Sequence, residues 1–175
     1  MKTILASTFI LLLSLQAQAQ NKLYPVIEGY GAIEIIDFQV ELPNPTKSYK
    51  LINELYLRQE NKAKLYGWLD YAARIMNAHV AAGVPEKNIK LAVVIFNEAT
   101  SIVLDNDAYL RRFGMNNPNI ELLDRMIEAG IEVIVCAQSM VKQDISPDML
   151  HKGIQKAFSR ITATSTLINS GYTIL

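Results

Sequence analysis

Two short runs of apolar residues set the strongest limit on the fold of this chain. The sequence LAVVIF occupies residues 91–96, and IEVIV occupies residues 131–135, where Glu132 is the one polar residue. Both runs are rich in β-branched side chains, and such runs predict strands that are covered on both faces. Strands of this kind belong to parallel sheets that carry helices on each side.

Segments with helical spacing alternate with these strands. In residues 61–82 an apolar residue recurs every three or four positions, which predicts a helix that ends at Gly83. Further helices are predicted at residues 120–129 and 159–169, and further strands at residues 49–56, 152–158 and 172–175. This alternation is typical of right-handed β-α-β units. The chain is therefore predicted to form an α/β sandwich with helices on both faces of a mostly parallel sheet.

The first 19 residues differ in character from the rest of the chain. Lys2 precedes an apolar stretch at residues 4–15, and an A-x-A pattern ends at Ala19, the features of a secretory signal peptide. The apolar stretch is shorter than the roughly 20 residues that a membrane span needs. We therefore expect a periplasmic or secreted protein with no membrane anchor after cleavage. The predicted parts are a signal peptide at 1–19, an N-terminal arm at 20–49 with one extended segment at 32–40, and a folded domain at 50–175.

The charge composition argues against two classes of partner. Lysine and arginine together number 17, and so do aspartate and glutamate. Nucleic acids and anionic membranes select proteins with clustered basic residues. The partner is instead expected to be a small molecule or another protein.

Polar residues follow both apolar strands at the point where each strand ends. Asn97 and Glu98 follow the first strand, and Cys136, Gln138 and Ser139 follow the second. Open α/β sheets bind ligands beyond the carboxyl ends of their strands. We predict Cys136 as the reactive residue and the other four as substrate-binding residues.

No cofactor or metal ion is expected from the sequence. It contains no glycine-rich nucleotide motif, and His79 and His151 do not have the spacing of metal ligands. Packing or surface roles are therefore the better interpretation of both histidines.

Cys136, the one cysteine of the chain, has two interpretations. A helical turn that starts at residue 137 places backbone donors near the sulfur, which lowers a thiol pKa and favours the reactive thiolate. Against this, cysteine is among the most often buried residues and behaves as a small hydrophobe. Exported proteins meet an oxidising compartment in which cysteines pair. This chain has no second cysteine with which Cys136 could form an internal disulfide.

Four segments, taken in their order and spacing, resemble the DsrE/DsrF-like family of small sulfur-relay proteins. The segment EAGIEVIVCAQSM at residues 128–140 is similar to the family's strand, cysteine and following turn. LAVVIFNEAT at residues 91–100, DISPDML at 144–150 and STLINSGYTIL at 165–175 resemble the flanking segments. YPVIEGYGAI at residues 24–33 looks like the arm of exported members.

This resemblance implies a three-layer α/β/α sandwich, assembly into trimers or hexamers, and a Cys136 that accepts sulfur as a persulfide and passes it to a partner protein. Two adjacent residues depart from the family: Phe96 and Asn97 stand where His-Gly is common. Chemistry that needs this histidine is therefore not expected of this chain. Two other functions stay open. One is a non-catalytic oligomeric module of the cell envelope that binds a small ligand or a protein, and the other is a structural subunit whose arm lies across a neighbour.

Overall fold

The computed structural model of the chain describes residues 22–175. The predicted signal peptide at residues 1–19 lies outside the described residues. The strands are β1 (Lys22–Leu23), β2 (Ile33–Glu34), β3 (Tyr49–Leu55), β4 (Ile89–Ile95), β5 (Glu132–Cys136), β6 (Gln155–Ala157) and β7 (Thr173–Ile174). The α-helices are α1 (Gly67–Ala81), α2 (Asn106–Phe113), α3 (Ile120–Glu128), α4 (Ala137–Lys142) and α5 (Arg160–Asn169). Shorter 3₁₀ helices cover Glu86–Asn88, Asn97–Val103 and Pro147–Met149. No helix in this described part combines the length and apolar character that crossing a membrane requires.

Five strands form one parallel sheet in the order β6-β5-β4-β3-β7. Its centre is the pairing of β3 with β4, which runs in register from Tyr49 opposite Ile89 to Leu55 opposite Ile95. Because every strand of this sheet points the same way, the carboxyl ends of all five meet at one edge. The predicted parallel sheet is confirmed, and β1 and β2 form a separate antiparallel pair.

The two faces of the sheet are covered by helices to different extents. The larger hydrophobic cluster joins alternate residues of β3, β4 and β5 to buried residues of α1 and α3, such as Leu69 and Leu122. On the opposite face, a small cluster around Ile52, Val94 and Ile134 includes Ala163, and Leu167 packs against it, both from α5. This arrangement confirms the three-layer α/β/α sandwich, with one face covered more thinly than the other.

The first long helix begins six residues later than its apolar spacing predicts. It starts at Gly67, because the preceding residues satisfy their backbone groups by other means. The Asn61 side chain accepts a hydrogen bond from the N–H of Ala63 at 3.0 Å, a local turn that competes with helix formation. The N–H of Tyr66 donates to Asn119 Oδ1 at 2.8 Å. Leu65 therefore shares the helical spacing without belonging to the helix.

The N-terminal arm is mostly irregular, as predicted, but its regular part is shorter than expected. Of residues 32–40, only Ile33–Glu34 forms a strand. The arm is attached to α1 by Asn77, which is fully buried and accepts hydrogen bonds from the N–H groups of Val26 and Ile27 at 3.0 and 2.9 Å. The same side chain donates to the carbonyl of Tyr30 at 2.9 Å. One polar residue of α1 thus satisfies several backbone groups of a segment without regular structure.

Gly31 is the second point of attachment, and two glycines of the arm make a matched test of it. Both Gly29 and Gly31 have positive φ angles, 80° and 61°. A Cβ on Gly29 meets open space, whereas a Cβ on Gly31 would lie 2.3 Å from the backbone nitrogen of Arg74. We expect Gly29→Ala to cost about 1 kcal/mol of backbone strain. We expect Gly31→Ala to cost about 1–3 kcal/mol more, because the arm must move off α1.

Urea unfolding measures the two costs, and limited proteolysis locates the effect. Only Gly31→Ala should speed up cleavage within the arm. Equal stabilities and equal cleavage rates for the two variants would contradict this account of the arm's attachment.

Candidate functional site

Cys136 is the last residue of β5 and the residue directly before α4. Its backbone pairs with Ala157 of β6. The residue is 4% exposed, and its thiol is free. The predicted turn after the cysteine is confirmed as the short helix α4. Its burial agrees with the packing interpretation, so the case for reactivity depends on what surrounds the sulfur.

A hydrogen bond between Asn97 and Ser139 connects the segments that follow the two central apolar strands. The backbone N–H of Asn97 donates to Ser139 Oγ at 3.0 Å. Asn97 has a φ of 48°, a left-handed conformation that asparagine adopts more readily than most residues. Its carbonyl accepts hydrogen bonds from the Thr100 hydroxyl at 2.7 Å and from the Gln143 side-chain amide. Asn97 is therefore held in place through its backbone, and Ser139 is oriented by it.

The surroundings of Cys136 favour the thiolate. Burial raises the pKa of the thiol, but hydrogen bonds from the Ser139 side chain and from the backbone N–H groups of Ser139, Arg160 and Gln138 lower it. The net pKa lies below the ordinary value of a cysteine. Because Ser139 Oγ already accepts from Asn97, its own proton is free to point at the sulfur. Four donors around one sulfur give it the character of an anion site.

The four predicted substrate-binding residues are not placed alike. Ser139 is buried beside the sulfur, and Asn97 contacts Ser139. Gln138 is exposed and approaches Cys136 through its backbone N–H. Glu98 is exposed and pairs with Arg58 at 3.1 Å. The structure thus brings Gln138 and Ser139 to Cys136 and Asn97 to Ser139. Glu98 is engaged elsewhere, and the binding roles of all four stay predictions.

An ion pair beside the site escapes sequence reasoning. Arg160, the first residue of α5, donates from Nε and Nη2 to the two carboxylate oxygens of Glu54 at 3.0 and 2.8 Å. Thr164 donates to the same carboxylate at 2.7 Å, and the Arg160 guanidinium lies 5.1 Å from the centre of the Phe96 ring. This bidentate pair fixes the first turn of α5, whose backbone N–H at Arg160 faces the sulfur. Its one sequence signal is a carboxylate near the end of β3, beside Asn53.

The histidines lie away from the sulfur and in contacts of their own. His79 Nδ1 is 2.8 Å from the carbonyl of Ile75, within α1. His151 Nε2 is 2.8 Å from Asp124 Oδ1. Within residues 22–175, no group of three or more His, Cys, Asp or Glu side chains is arranged to hold a metal ion.

Comparison with known protein families shows to which family the chain belongs. A model of the DsrE/DsrF-like family matches residues 60–175, which include both apolar strands and Cys136. The chain belongs to the DsrE/DsrF-like family. The resemblance inferred from four short segments is thereby confirmed at the level of the family.

Solved structures support the fold of this DsrE/DsrF-like protein. One is a protein of unknown function, MTH1491, from Methanobacterium thermoautotrophicum, with a TM-score of 0.55 and 9% sequence identity over 73% of this chain and 98% of that one. Another is the ychN protein from E. coli, with a TM-score of 0.53 and 14% identity over 73% of this chain and 97% of that one. No match is found among curated proteins. Identities this low establish a shared fold and nothing finer.

The Ser139 hydroxyl is the one side-chain donor among the four groups around the sulfur, so its removal has a defined effect. We expect Ser139→Ala to raise the pKa of Cys136, because the thiolate loses a hydrogen bond while its burial is unchanged. The ultraviolet absorbance of the thiolate, followed against pH with Cys136→Ala as the blank, measures this pKa without any reagent having to reach the sulfur.

Ser165→Ala is the matched control. Ser165 is an exposed residue of α5 whose hydroxyl donates to the carbonyl of Thr162 at 3.2 Å, and its loss should leave the Cys136 pKa unchanged. An unchanged pKa in Ser139→Ala as well would remove Ser139 from the account of the thiolate.

Proposed function

We propose that this DsrE/DsrF-like protein is exported and carries sulfur as a persulfide on Cys136. Membership of the family and the position of the cysteine at the carboxyl end of β5 support the proposal. The observation that carries it is the free thiol of Cys136 at the junction of β5 and α4, where Ser139 and neighbouring backbone N–H groups lower its pKa. A cysteine that served only as packing would be expected to have its pKa raised by burial.

The transfer step needs a sulfur donor with a sulfane sulfur, such as a persulfide or an inorganic polysulfide. The Cys136 thiolate attacks the outer sulfur of the donor, a new S–S bond forms at Cys136, and the S–S bond of the donor breaks. The remainder of the donor leaves as a thiolate with the electron pair of that bond. The sulfur atoms keep their total oxidation state, so neither an external oxidant nor a reductant takes part.

The absence of histidine at Phe96 and Asn97 determines how the nucleophile is formed. The two histidines of the chain are hydrogen-bonded to the Ile75 carbonyl and to Asp124. Neither histidine therefore serves as the base that deprotonates Cys136. The lowered pKa of Cys136 raises the fraction of thiolate that is present when the donor arrives.

The 4% exposure of Cys136 limits the donor. A narrow inorganic donor reaches such a sulfur more easily than a persulfide held on another protein does. Passing sulfur to a partner protein requires the sulfur to become more exposed, and the six-residue helix α4 begins directly after Cys136. A short helix at a strand end is well suited to such local opening.

Intact-mass spectrometry tests export and sulfur loading together. The protein recovered from the periplasm or medium of an exporting bacterial host should begin at Gln20. After treatment with inorganic polysulfide it should gain the mass of one sulfur atom, and reduction should reverse the gain. Cys136→Ser should abolish it.

Ser139→Ala provides the graded comparison, because at neutral pH it should load more slowly while still reaching one sulfur per chain. A wild-type chain that gains no sulfur while remaining folded would overturn the carrier proposal. That result would favour the alternative of a non-catalytic binding module in which Cys136 is part of the wall.

We also propose that the protein is a homo-oligomer in which the arm of one copy lies on another. After β2 the arm runs through IIDFQVEL at residues 35–42. Apolar residues alternate with polar ones there, and Ile36, Phe38, Val40 and Leu42 are 42–69% exposed. An extended segment with one apolar face is stable when that face is covered, and within residues 22–175 of its own chain these side chains stay exposed.

A pair of double variants on the two sides of this segment tests the assembly. Ile36→Ser with Phe38→Ser should lower the mass of the particle measured by sedimentation, because it removes the apolar side. Asp37→Ser with Gln39→Ser changes the polar side of the same segment and should leave the mass unchanged. A monomeric wild type, or equal masses for all three proteins, would contradict the role of the arm.

A further inference from the structure

The chain reverses direction across the sheet between β3 and β7. From β3 it passes through α1 to β4 and then outward to β5 and β6. After β6 it crosses back through α5, on the opposite face, and adds β7 to the other side of β3. The carboxyl ends of β3 and β7 therefore lie side by side at the edge where open α/β sheets bind ligands. β4 separates β3 from the strand that bears Cys136.

A cavity of about 240 Å³ occupies this position. The end of β3 and the residues after it form one wall, Leu175 forms another, and residues at the start of α1 close it. Three of its aromatic residues, Tyr56, Trp68 and Tyr71, are each 44–50% exposed. The Trp68 and Tyr71 rings meet edge to face at 6.1 Å. Such a concentration of exposed aromatic surface in one concave place is characteristic of binding sites.

Asn53 lines the same cavity and is the residue that packing does not explain. It lies on β3 between Leu51 and Leu55, on the side of the strand that faces the larger core, and it is 8% exposed. Its Oδ1 is buried and has no hydrogen-bond partner among the described residues. A buried polar atom without a partner destabilises the folded chain, so its presence calls for a role.

Tyr66 and Glu54 also line the cavity, and the polar atoms of both side chains are already hydrogen-bonded. The Tyr66 hydroxyl donates to the carbonyl of Leu57 at 2.7 Å, and burial raises its pKa to about 12, so it stays neutral. The carboxylate of Glu54 accepts from Arg160 and Thr164. Among the buried polar side chains of the cavity, Asn53 is therefore the one that remains available to a ligand.

We propose that this cavity binds a small aromatic molecule that carries one hydrogen-bonding group. The ring lies against Trp68 and Tyr71, and the polar group pairs with the Asn53 amide. Rotation of that amide exchanges its oxygen and nitrogen, so the ligand group is either a donor or an acceptor. The volume suits one or two rings. This site is independent of the proposed persulfide on Cys136.

Trp68 provides a direct signal, because it is the one tryptophan of the chain. The probes are p-cresol and p-xylene, which share a ring and differ in a hydroxyl group. Both should change the Trp68 emission of the full mature protein, and p-cresol should bind about tenfold more tightly, the effect of one hydrogen bond to a buried partner.

Two variants separate the two halves of the site. Asn53→Leu should equalise the affinities for the two probes and should also raise the melting temperature, since it removes an unsatisfied polar atom. Tyr71→Ala should weaken both probes. Phe158→Ala, at a 75% exposed residue outside the cavity, is the control and should change neither affinity.

Three results would overturn the proposal. Equal affinities of the two probes for the wild type would remove Asn53 from binding, and unchanged binding by Tyr71→Ala would remove the aromatic wall. Trp68 emission that changes on dilution of the protein alone would mean that a second copy fills the cavity.

Discussion

The parallel pairing of β3 with β4 is the constraint on which the rest of the molecule depends. Seven residue pairs hold the two strands in register, from Tyr49 and Ile89 to Leu55 and Ile95. β5 and β7 add to the outer sides of this pair, so its register sets where their carboxyl ends fall. A shift by one residue would exchange the two faces of a strand and place Asn53 on the thin side of the sheet. The positions of Cys136, Asn97 and Asn53 at one edge therefore follow from one ladder of backbone hydrogen bonds.

The central elements were predictable because their signals are local. Strands covered on both faces explain the apolar runs at β4 and β5 completely. The helices α3 and α5 were predicted within two residues of their observed ends. The predicted start of α1 was wrong because Asn61 and Asn119 satisfy the backbone N–H groups of residues 63 and 66. The apolar spacing alone does not reveal these hydrogen bonds. The arm was overestimated as a strand because β-rich composition does not supply a pairing partner.

The site was predictable in position and only partly in content. The rule that ligands meet the carboxyl ends of strands led to Cys136 and Ser139, which are three positions apart in the chain. Glu54 and Arg160 are separated by 106 positions, and their ion pair depends on which helix covers which strand. The effect on Cys136 is of the same kind, since a donor from α5 reaches a sulfur on β5. Such contacts follow from the fold and leave no pattern in the sequence.

Glu54 contacts both the helix next to Cys136 and the cavity beside Trp68, and it affects the two in different ways. Its carboxylate accepts three hydrogen bonds from Arg160 and Thr164, and so holds the first turn of α5 near Cys136. The same residue lines the cavity beside Trp68. Because these donors occupy its oxygens, Glu54 adds little free charge to the cavity, which stays aromatic with Asn53 as its buried polar group without a partner. One half-buried carboxylate thus positions the helix next to Cys136 and leaves the neighbouring cavity suited to an uncharged ring.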